Sequence, residues 1–399
     1  MHKKYRSPVL VFVLLTFVAG KCAFDYYYAY DNVLQRRSTL AKQINPNIHV
    51  AAVWDLDHET SFIDGINLAI SEVNQQGIPL NSEGKSATGR LILHVFDDGD
   101  GDEHTKEAWV QVSKQDELVA VLGHSSSNTA IPASISYQYT GLLFISTIAS
   151  DSALTAPGFS FTFSINPTNR TYADQLIAFA KQHNWFKLLV LYERDAYGLD
   201  FYTTFLDGIS DDFEIVASRS FYLTQEDKDN GNFSSKAEMV YELMQNDFDA
   251  VILGGRGQVA SQMIEQLRTM GVNQPILTGE GLDNTAVWDM SHHTANNLYV
   301  ASIYDAEAID SQAFKTAFQQ AYSYEPGYFA YQGYQAVHVL ASAYKETKST
   351  EPIRVAATMQ YGFKNSYQNY QFDRKSLIKT KKIVIKQMIN GKFKTLTTE

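Results

Sequence analysis

The chain has 399 residues, 45% of them hydrophobic and 19% charged, with a formal net charge of -11 and one cysteine. That balance describes a folded globular protein, and the acidic sign works against non-specific nucleic-acid binding. One cysteine excludes an internal disulfide, and no helix-turn-helix or basic stripe is present.

The N-terminus has the form of an export signal. Lys3, Lys4 and Arg6 precede an apolar run from Pro8 to Gly20, which is short for a bilayer span. Cys22 follows and could take a lipid, although Lys21 stands where bacterial lipoprotein signals place a small residue. We read residues 1–22 as a signal peptide and 23–47 as an irregular, tyrosine-rich arm. No later apolar segment approaches a membrane span, so an extracytoplasmic destination is expected, secreted or anchored through the N-terminus.

From there the pattern alternates strands and helices. Ile48 to Val53 reads as a strand, followed by a helix over Glu59 to Gln76 with Phe62, Ile63, Ile66, Ile70 and Val73 on one face. Gly77 then stands where a helix C-terminus favours a left-handed residue. Leu91 to Phe96 and Val119 to Leu122 are further strands, with helix over Thr105 to Lys114 between them, and Leu142 to Ser146 is a fourth strand. Unbroken apolar strands separated by helices predict a parallel, doubly wound sheet. A second set begins near Ser164, with helix over Tyr172 to Gln182 and strands over Leu188 to Tyr192, Phe213 to Ser220, Ala250 to Leu253 and Pro275 to Leu277. Helices are expected over Gln258 to Met270 and Gln332 to Lys345. Ile383 to Lys392 alternates up to a turn at Asn390 and Gly391.

Two polar crests stand out. Ser125, Ser126, Ser127 and Asn128 follow one strand; Thr147, Ile148, Ala149 and Ser150 follow the next. In open α/β sheets ligands sit beyond the carboxyl ends of strands, where hydroxyls and free backbone N–H groups converge. Other constellations are weaker. Gly255 to Ala260 spells G-x-G-x-x-A after a strand with Glu280 downstream, but glycines easing a tight turn explain it as well as a dinucleotide does, and no cofactor is expected. Asp98, Asp100 and Asp102 alternate as in a calcium loop, yet Glu103 stands where glycine is needed and Trp109 where a bidentate glutamate belongs; helix capping is the simpler role. His292 and His293 lack a second ligand pair, so no metal is expected. His124 is either a ligand contact or a hydrogen-bonded structural residue. No G-x-S-x-G elbow surrounds the serines, so an exported hydrolase has little support, and no enzyme activity is expected.

GHSSSNTAIPAS resembles the GH-x-x-S-x-x-T-x-P-A-S segment of type I periplasmic solute-binding proteins of the branched-chain amino-acid branch. GLLFISTIASDSAL resembles that family's G-I-x-x-I-S-x-A-A-T-x-x-x-L segment. VWDLDHETSFIDGINLAISEVNQQGI, LHVFDDGDGD, YERDAYG, AVILGG, LTGEG, YQAVHVLASAY and the stretch from FDRKSL to INGKF extend the likeness in family order over Ile48 to Phe393. The resemblance implies two Rossmann-like lobes joined by three strand crossings, near Phe163, Val300 and Gln371. That puts 48–163 and 301–371 in the N-terminal lobe and 164–300 and 372–399 in the C-terminal lobe. It also implies a ligand held between the lobes by hinge closure, a domain motion for which periplasmic binding proteins are a standard example.

By the resemblance, Ser127 holds a ligand carboxylate. Ser150 and the Ile148 carbonyl help hold an ammonium, Glu280 completes that site from the second lobe, and Tyr197 lines the cleft. Ser126, Arg256 and Trp54 are further lining candidates. Three features depart from the family pattern. The loop after the first strand is short, so Trp54, Asp57 and His58 have no direct counterparts. Arg256 replaces a tyrosine, and either selects an acidic side chain or pairs with a carboxylate such as Asp283. Asp100 and Ser126 stand where some relatives have a disulfide. The expected function is capture of an amino acid or small carboxylate by a monomer that delivers it to a membrane permease of an ABC transporter. The alternative is a ligand-sensing subunit of a membrane signalling system.

Overall fold

The computed structural model describes residues 33–43, 45–57, 60–82, 85–99, 102–230, 233–284, 295–364, 369–373, 375–378 and 382–396. The export segment, Cys22, His58, Asp100, His292 and His293 lie outside them, as do the side chains of Asp102 and Glu103.

Helix α1 (residues 33–42) occupies part of the stretch expected as an irregular arm. Its buried residues Val33, Arg37 and Ala41 are four apart, and an arginine in the middle of that face hides the apolar period. Strand β1 (Asn47–Trp54) then leads to α2 (Ser61–Gln76), which ends at Gly77 with φ of 74°. Strands β2 (Ile78–Ser82) and β3 (Lys85–Asp97) form an antiparallel pair. This pairing is longer than the expected Leu91 to Phe96, because Pro79 and the polar run through Gly89 carry no strand pattern. Next come α3 (Asp102–Lys114), β4 (Leu118–Gly123), α4 (Ser127–Thr140), β5 (Leu143–Ser146), a 3-10 turn at Ser152–Leu154, and β6 (Thr162–Ser164). These strands make one sheet in the order β2-β3-β1-β4-β5-β6, parallel except for β2.

The second lobe opens with α5 (Asn169–Gln182), β7 (Lys187–Glu193), α6 (Ala196–Gly208) and β8 (Glu214–Phe221). After α7 (Gln225–Asn230) and α8 (Ala237–Leu243) it continues through β9 (Ala250–Gly254), α9 (Gly257–Thr269), β10 (Ile276–Thr278), a 3-10 turn at Glu280–Leu282 and β11 (Leu298–Ser302). The chain then returns to the first lobe as α10 (Ile309–Tyr322), α11 (Tyr328–Thr347) and α12 (Pro352–Tyr361), followed by the short pair β12 (Phe363–Lys364) and β13 (Asn369–Tyr370). Strands β14 (Val384–Ile389) and β15 (Lys392–Leu396) finish the second sheet, ordered β15-β14-β11-β10-β9-β7-β8, with an Asn390-Gly391 hairpin of positive φ at both positions.

The protein is therefore two α/β lobes, and the chain passes between their sheets three times. The first passage follows β6 and the second follows β11. The third comes later than Gln371: Ser164 N–H donates to Ser376 O, Ile378 N–H donates to Ser164 O, and only at Val384 does the chain enter the second sheet beside β11. Phe372 explains the delay, because its ring packs edge-on against Phe163 at 5.2 Å and holds this segment against β6.

The cores dictate where the crests point. Strands β4 and β9 are buried along their whole length, so the first backbone groups released from the sheet ladder are those of the turns at their carboxyl ends. Trp54, expected near the ligand, stacks on Phe62 at 3.8 Å and meets Phe329 edge-on at 5.7 Å, with 2% of its surface exposed. Its ring is a member of the first lobe's core.

Candidate ligand-binding cleft

The first crest is built by a turn that needs glycine. At Gly123 φ is +125°, and a Cβ would stand 2.1 Å from the Val53 carbonyl. His124 follows with no exposed surface; its Nδ1 lies 2.7 Å from Asp98 Oδ2 and its Nε2 2.9 Å from the Tyr137 hydroxyl. Burial alone would raise the Asp98 pKa, but hydrogen bonds from His124 and Ser125 outweigh it and hold the carboxyl below its ordinary value. His124 is thus the structural histidine of the two alternatives, and it fixes the backbone that presents the serines.

Ser126 caps α4 by accepting from Thr129 N–H at 3.2 Å. Ser127, the first helical residue, is 2% exposed, and its Oγ accepts from Asp151 N–H at 3.3 Å. The two crests therefore touch, with Ser127 bonded to the residue next to Ser150. The first-turn N–H groups of α4 and its positive dipole end favour an anion at this place.

Glu280 arrives from the second lobe. It is 2% exposed, its Oε1 accepts from Asn166 Nδ2 at 3.4 Å, and its Oε2 has no partner among the described residues. Burial pushes its pKa up to about 7, against the nearby polar groups that favour the charged form: the Ser150 hydroxyl first, then its own backbone N–H and Asn166; the Ser150 hydroxyl itself donates to Asn169 Oδ1 at 2.8 Å. Tyr197, 3% exposed on α6, lies within 2.7 Å of where a Gly279 Cβ would stand, so only glycine leaves it room. Burial and the neighbouring Glu280 raise its pKa well above the ordinary range. Ser127, Ser150, Ile148, Tyr197 and Glu280 all converge on one buried region.

Asn166 is the residue sequence reasoning missed. It follows β6 and has no exposed surface. Its Nδ2 donates to Ile148 O at 2.9 Å as well as to Glu280, and its Oδ1 accepts from the Tyr172 hydroxyl at 2.7 Å and the Tyr328 hydroxyl at 3.0 Å. An Asn-Pro in a loop reads as a turn signal, which is why it drew no notice.

Arg256 pairs with a carboxylate, but the partner is Asp195. Its Nε lies 3.4 Å from Asp195 Oδ2, its backbone N–H donates to Glu193 Oε2 at 3.2 Å, and Nη1 donates across the cleft to Ser125 O at 3.4 Å. Asp283, the partner expected from sequence, instead binds Lys386 at 2.6 Å and accepts from Ser302. The lobes also meet directly. Asn128 Nδ2 donates to Asp195 Oδ2 at 3.0 Å, Ala196 N–H donates to Asn128 Oδ1 at 2.8 Å, and Ser152 donates to Asp200 at 3.1 Å.

The glycine-rich turn serves the backbone. Gly257 has φ of +54°, and a Cβ on Gly255 would crowd Ala260 and Phe221. Among the described residues no cluster of three His, Cys, Asp or Glu side chains is placed to hold a metal, and no helix is long and apolar enough to cross a membrane.

A family profile described as periplasmic binding protein matches residues 57–385. The leucine-specific-binding protein of Salmonella typhimurium is 23% identical over 298 residues, which cover 73% of this chain and 75% of that protein. Among solved structures, a branched-chain amino acid transporter substrate-binding protein from Streptococcus pneumoniae in complex with isoleucine superposes with a TM-score of 0.74 at 21% identity, covering 88% of this chain and 99% of that one. A solute-binding protein from R. palustris in complex with benzoate gives a TM-score of 0.72 at 15% identity, covering 88% and 95%. With a family match over most of its length and the two-lobed α/β architecture in place, the chain belongs to the type I periplasmic binding protein family.

Proposed function

We propose that this protein is an extracytoplasmic solute-binding protein that closes its two lobes on an amino acid or a related small carboxylate and delivers it to the permease of an ABC transporter. The observation that carries the reading is the unpartnered Oε2 of buried Glu280, facing a first-lobe crest of serine hydroxyls. A buried carboxylate oxygen without a donor costs about 1–3 kcal/mol or more, so a site of this kind favours a ligand that brings an N–H⁺. At the other end the Ser127 hydroxyl and the N-terminal amides of α4 suit a carboxylate. Donors at one end and an acceptor at the other describe a zwitterion. The relatives named for leucine and isoleucine support the same ligand class.

The test is thermal denaturation of the purified protein against a panel of amino acids and small carboxylates, with leucine, isoleucine, valine and benzoate included. A ligand at a hundred times its Kd stabilises the folded state by about 2.7 kcal/mol and raises Tm accordingly. Glu280→Gln removes the charge that meets the ammonium and is expected to weaken amino-acid binding by about ten- to a hundredfold, with less effect on a ligand lacking an amine. A panel that leaves Tm unmoved would overturn the ligand class. A Glu280→Gln variant that binds as tightly as the wild type would overturn the site.

A further inference from the structure

Asn166 has two amide protons and two lone pairs, and all four are used. Its partners come from four places: Ile148 on the second crest, Glu280 on the turn after β10, Tyr172 on α5 and Tyr328 at the start of α11. Ile148 and Tyr328 belong to the first lobe and Tyr172 and Glu280 to the second. Asn166 itself lies on the first passage between them. No other residue type of this size offers two donors and two acceptors, so the arrangement specifies asparagine.

Its geometry also orients Glu280. One carboxylate oxygen is tied to the Asn166 amide, and the other is left for a ligand. We propose that Asn166 is a positioning residue: it holds the Glu280 carboxylate in the orientation that receives a ligand cation, and it couples that carboxylate to both lobes at the passage on which closure turns. The inference rests on the reading of Glu280 as a ligand group. Around Glu280 stand Asp283 on the same turn, neutralised by Lys386, and the hydroxyls of Tyr172, Tyr197 and Tyr328 from α5, α6 and α11. Against this background the nearby Ser150 hydroxyl, the Glu280 backbone N–H and the Asn166 amide favour the ionised form, and of these Asn166 is the one tied to both lobes.

A ligand-free double-mutant cycle tests it. Asn166→Asp keeps the acceptor for both tyrosines, removes the donor and sets a second carboxylate beside Glu280. Wild type, Asn166→Asp, Glu280→Gln and the double variant are melted at pH 5 and pH 8. At pH 8 Asn166→Asp is expected to lower Tm by about 3 °C or more when Glu280 is intact. In the Glu280→Gln background, where the introduced amide can donate to the new carboxylate, less than half of that loss should remain. At pH 5, with Glu280 protonated, the difference between backgrounds should shrink. Equal losses in both backgrounds at both pH values would leave Asn166 a simple packing residue and overturn the proposal. If Asn166→Asp does not fold, Asn166→Ala takes its place and the criterion becomes the pH dependence of its loss: a larger loss at pH 8 than at pH 5 with Glu280 intact, absent in the Glu280→Gln background, supports the proposal, and the same pH dependence in both backgrounds overturns it. L-Leucine is then added as probe. A wild-type response with at least a tenfold weaker response in the Asn166 variant supports the positioning role, and an unchanged response overturns it. If leucine leaves the wild type unmoved, leucine fails as the solute, and the ligand-free cycle still decides the role of Asn166.

Discussion

Arg37 shows what a single side chain does for the first lobe. With 1% of its surface exposed, its guanidinium donates to Leu118 O at 2.7 Å, to Gln115 O at 2.8 Å, to Ser113 O at 3.2 Å and to Thr140 O. Ser113 and Thr140 lie in the last turns of α3 and α4, where carbonyls have no partner within their own helix and the dipole end is negative. Burial lowers the Arg37 pKa to about 10, against the pull of Asp116 and Glu117, so the group stays charged at neutral pH. Arg37→Met keeps the apolar stem and abandons four carbonyls. The expected loss is about 3 kcal/mol in urea unfolding, and a loss under about 0.5 kcal/mol would show that water replaces the guanidinium. None of this was legible in the sequence, because a pattern reading assigns arginine to the surface. The place of the crest serines after apolar strands was legible, whereas Glu280 was singled out only through the resemblance of LTGEG and the neighbouring segments to a known family. Asn166 was not: its role depends on four partners up to 162 positions away in the chain.

Among the elements, α2 and α11 show why two helices pack as closely as they do. A Cβ on Gly65 would stand 2.0 Å from the Ala330 carbonyl, and one on Gly333 would stand 2.3 Å from the Phe62 carbonyl. The helices meet backbone to backbone at two reciprocal glycines, and neither clash can be relieved by a side-chain rotation. Gly333→Ala would raise helix propensity by about 1 kcal/mol, and the clash is expected to outweigh this, for a net loss of about 2–3 kcal/mol in thermal unfolding. A stabilised variant would mean that the helices separate at little cost. The contact matters for the cleft because α11 begins at Tyr328, one of the four partners of Asn166. The apolar faces of both helices were visible as a 3.6-residue period. Their glycines read only as weak points in that period, since close approach is a property of two helices and not of one. The same limit applies to β2, the part of β3 before Leu91 and α6, whose polar or aromatic content carries no clean period and whose form is set by the neighbours they pair with or cover.

For the whole molecule, the decisive fact is that three carboxyls at the interlobe seam resist ionisation. Glu280 is pushed up to about 7 by burial. Glu193 is pushed up to about 7 by burial and Asp195, against Arg256, and Asp151 to about 6 by burial, Asp200 and Asp195, against the Ala153 N–H. Glu280 and Asp151 lie where the lobes meet, and Glu193 adjoins that seam through Arg256, whose Nη1 reaches Ser125 O, and through Asp195, which accepts from Asn128. Opening the lobes returns them to water and toward ordinary carboxylate values near 4, so between about pH 4 and 7 the closed form binds more protons than the open one. By linkage the closed, empty form is favoured in acid and loses that advantage as pH rises through 6 to 7. On the function proposed above, a ligand ammonium would take the place of the Glu280 proton, and closure at neutral pH would then depend on the solute. Small-angle scattering checks this directly. The radius of gyration of the ligand-free protein should increase from pH 5 to pH 8, and a saturating solute should bring it back to the pH 5 value. Arg256→Gln removes the only cation that faces Glu193 and Asp195 among the described residues, and should enlarge the increase at pH 8 while changing little at pH 5. A radius that stays constant across this range in both proteins would mean that the seam carboxyls do not govern closure, and that the polar contacts of Asn128 and Ser152 hold the lobes together regardless of charge.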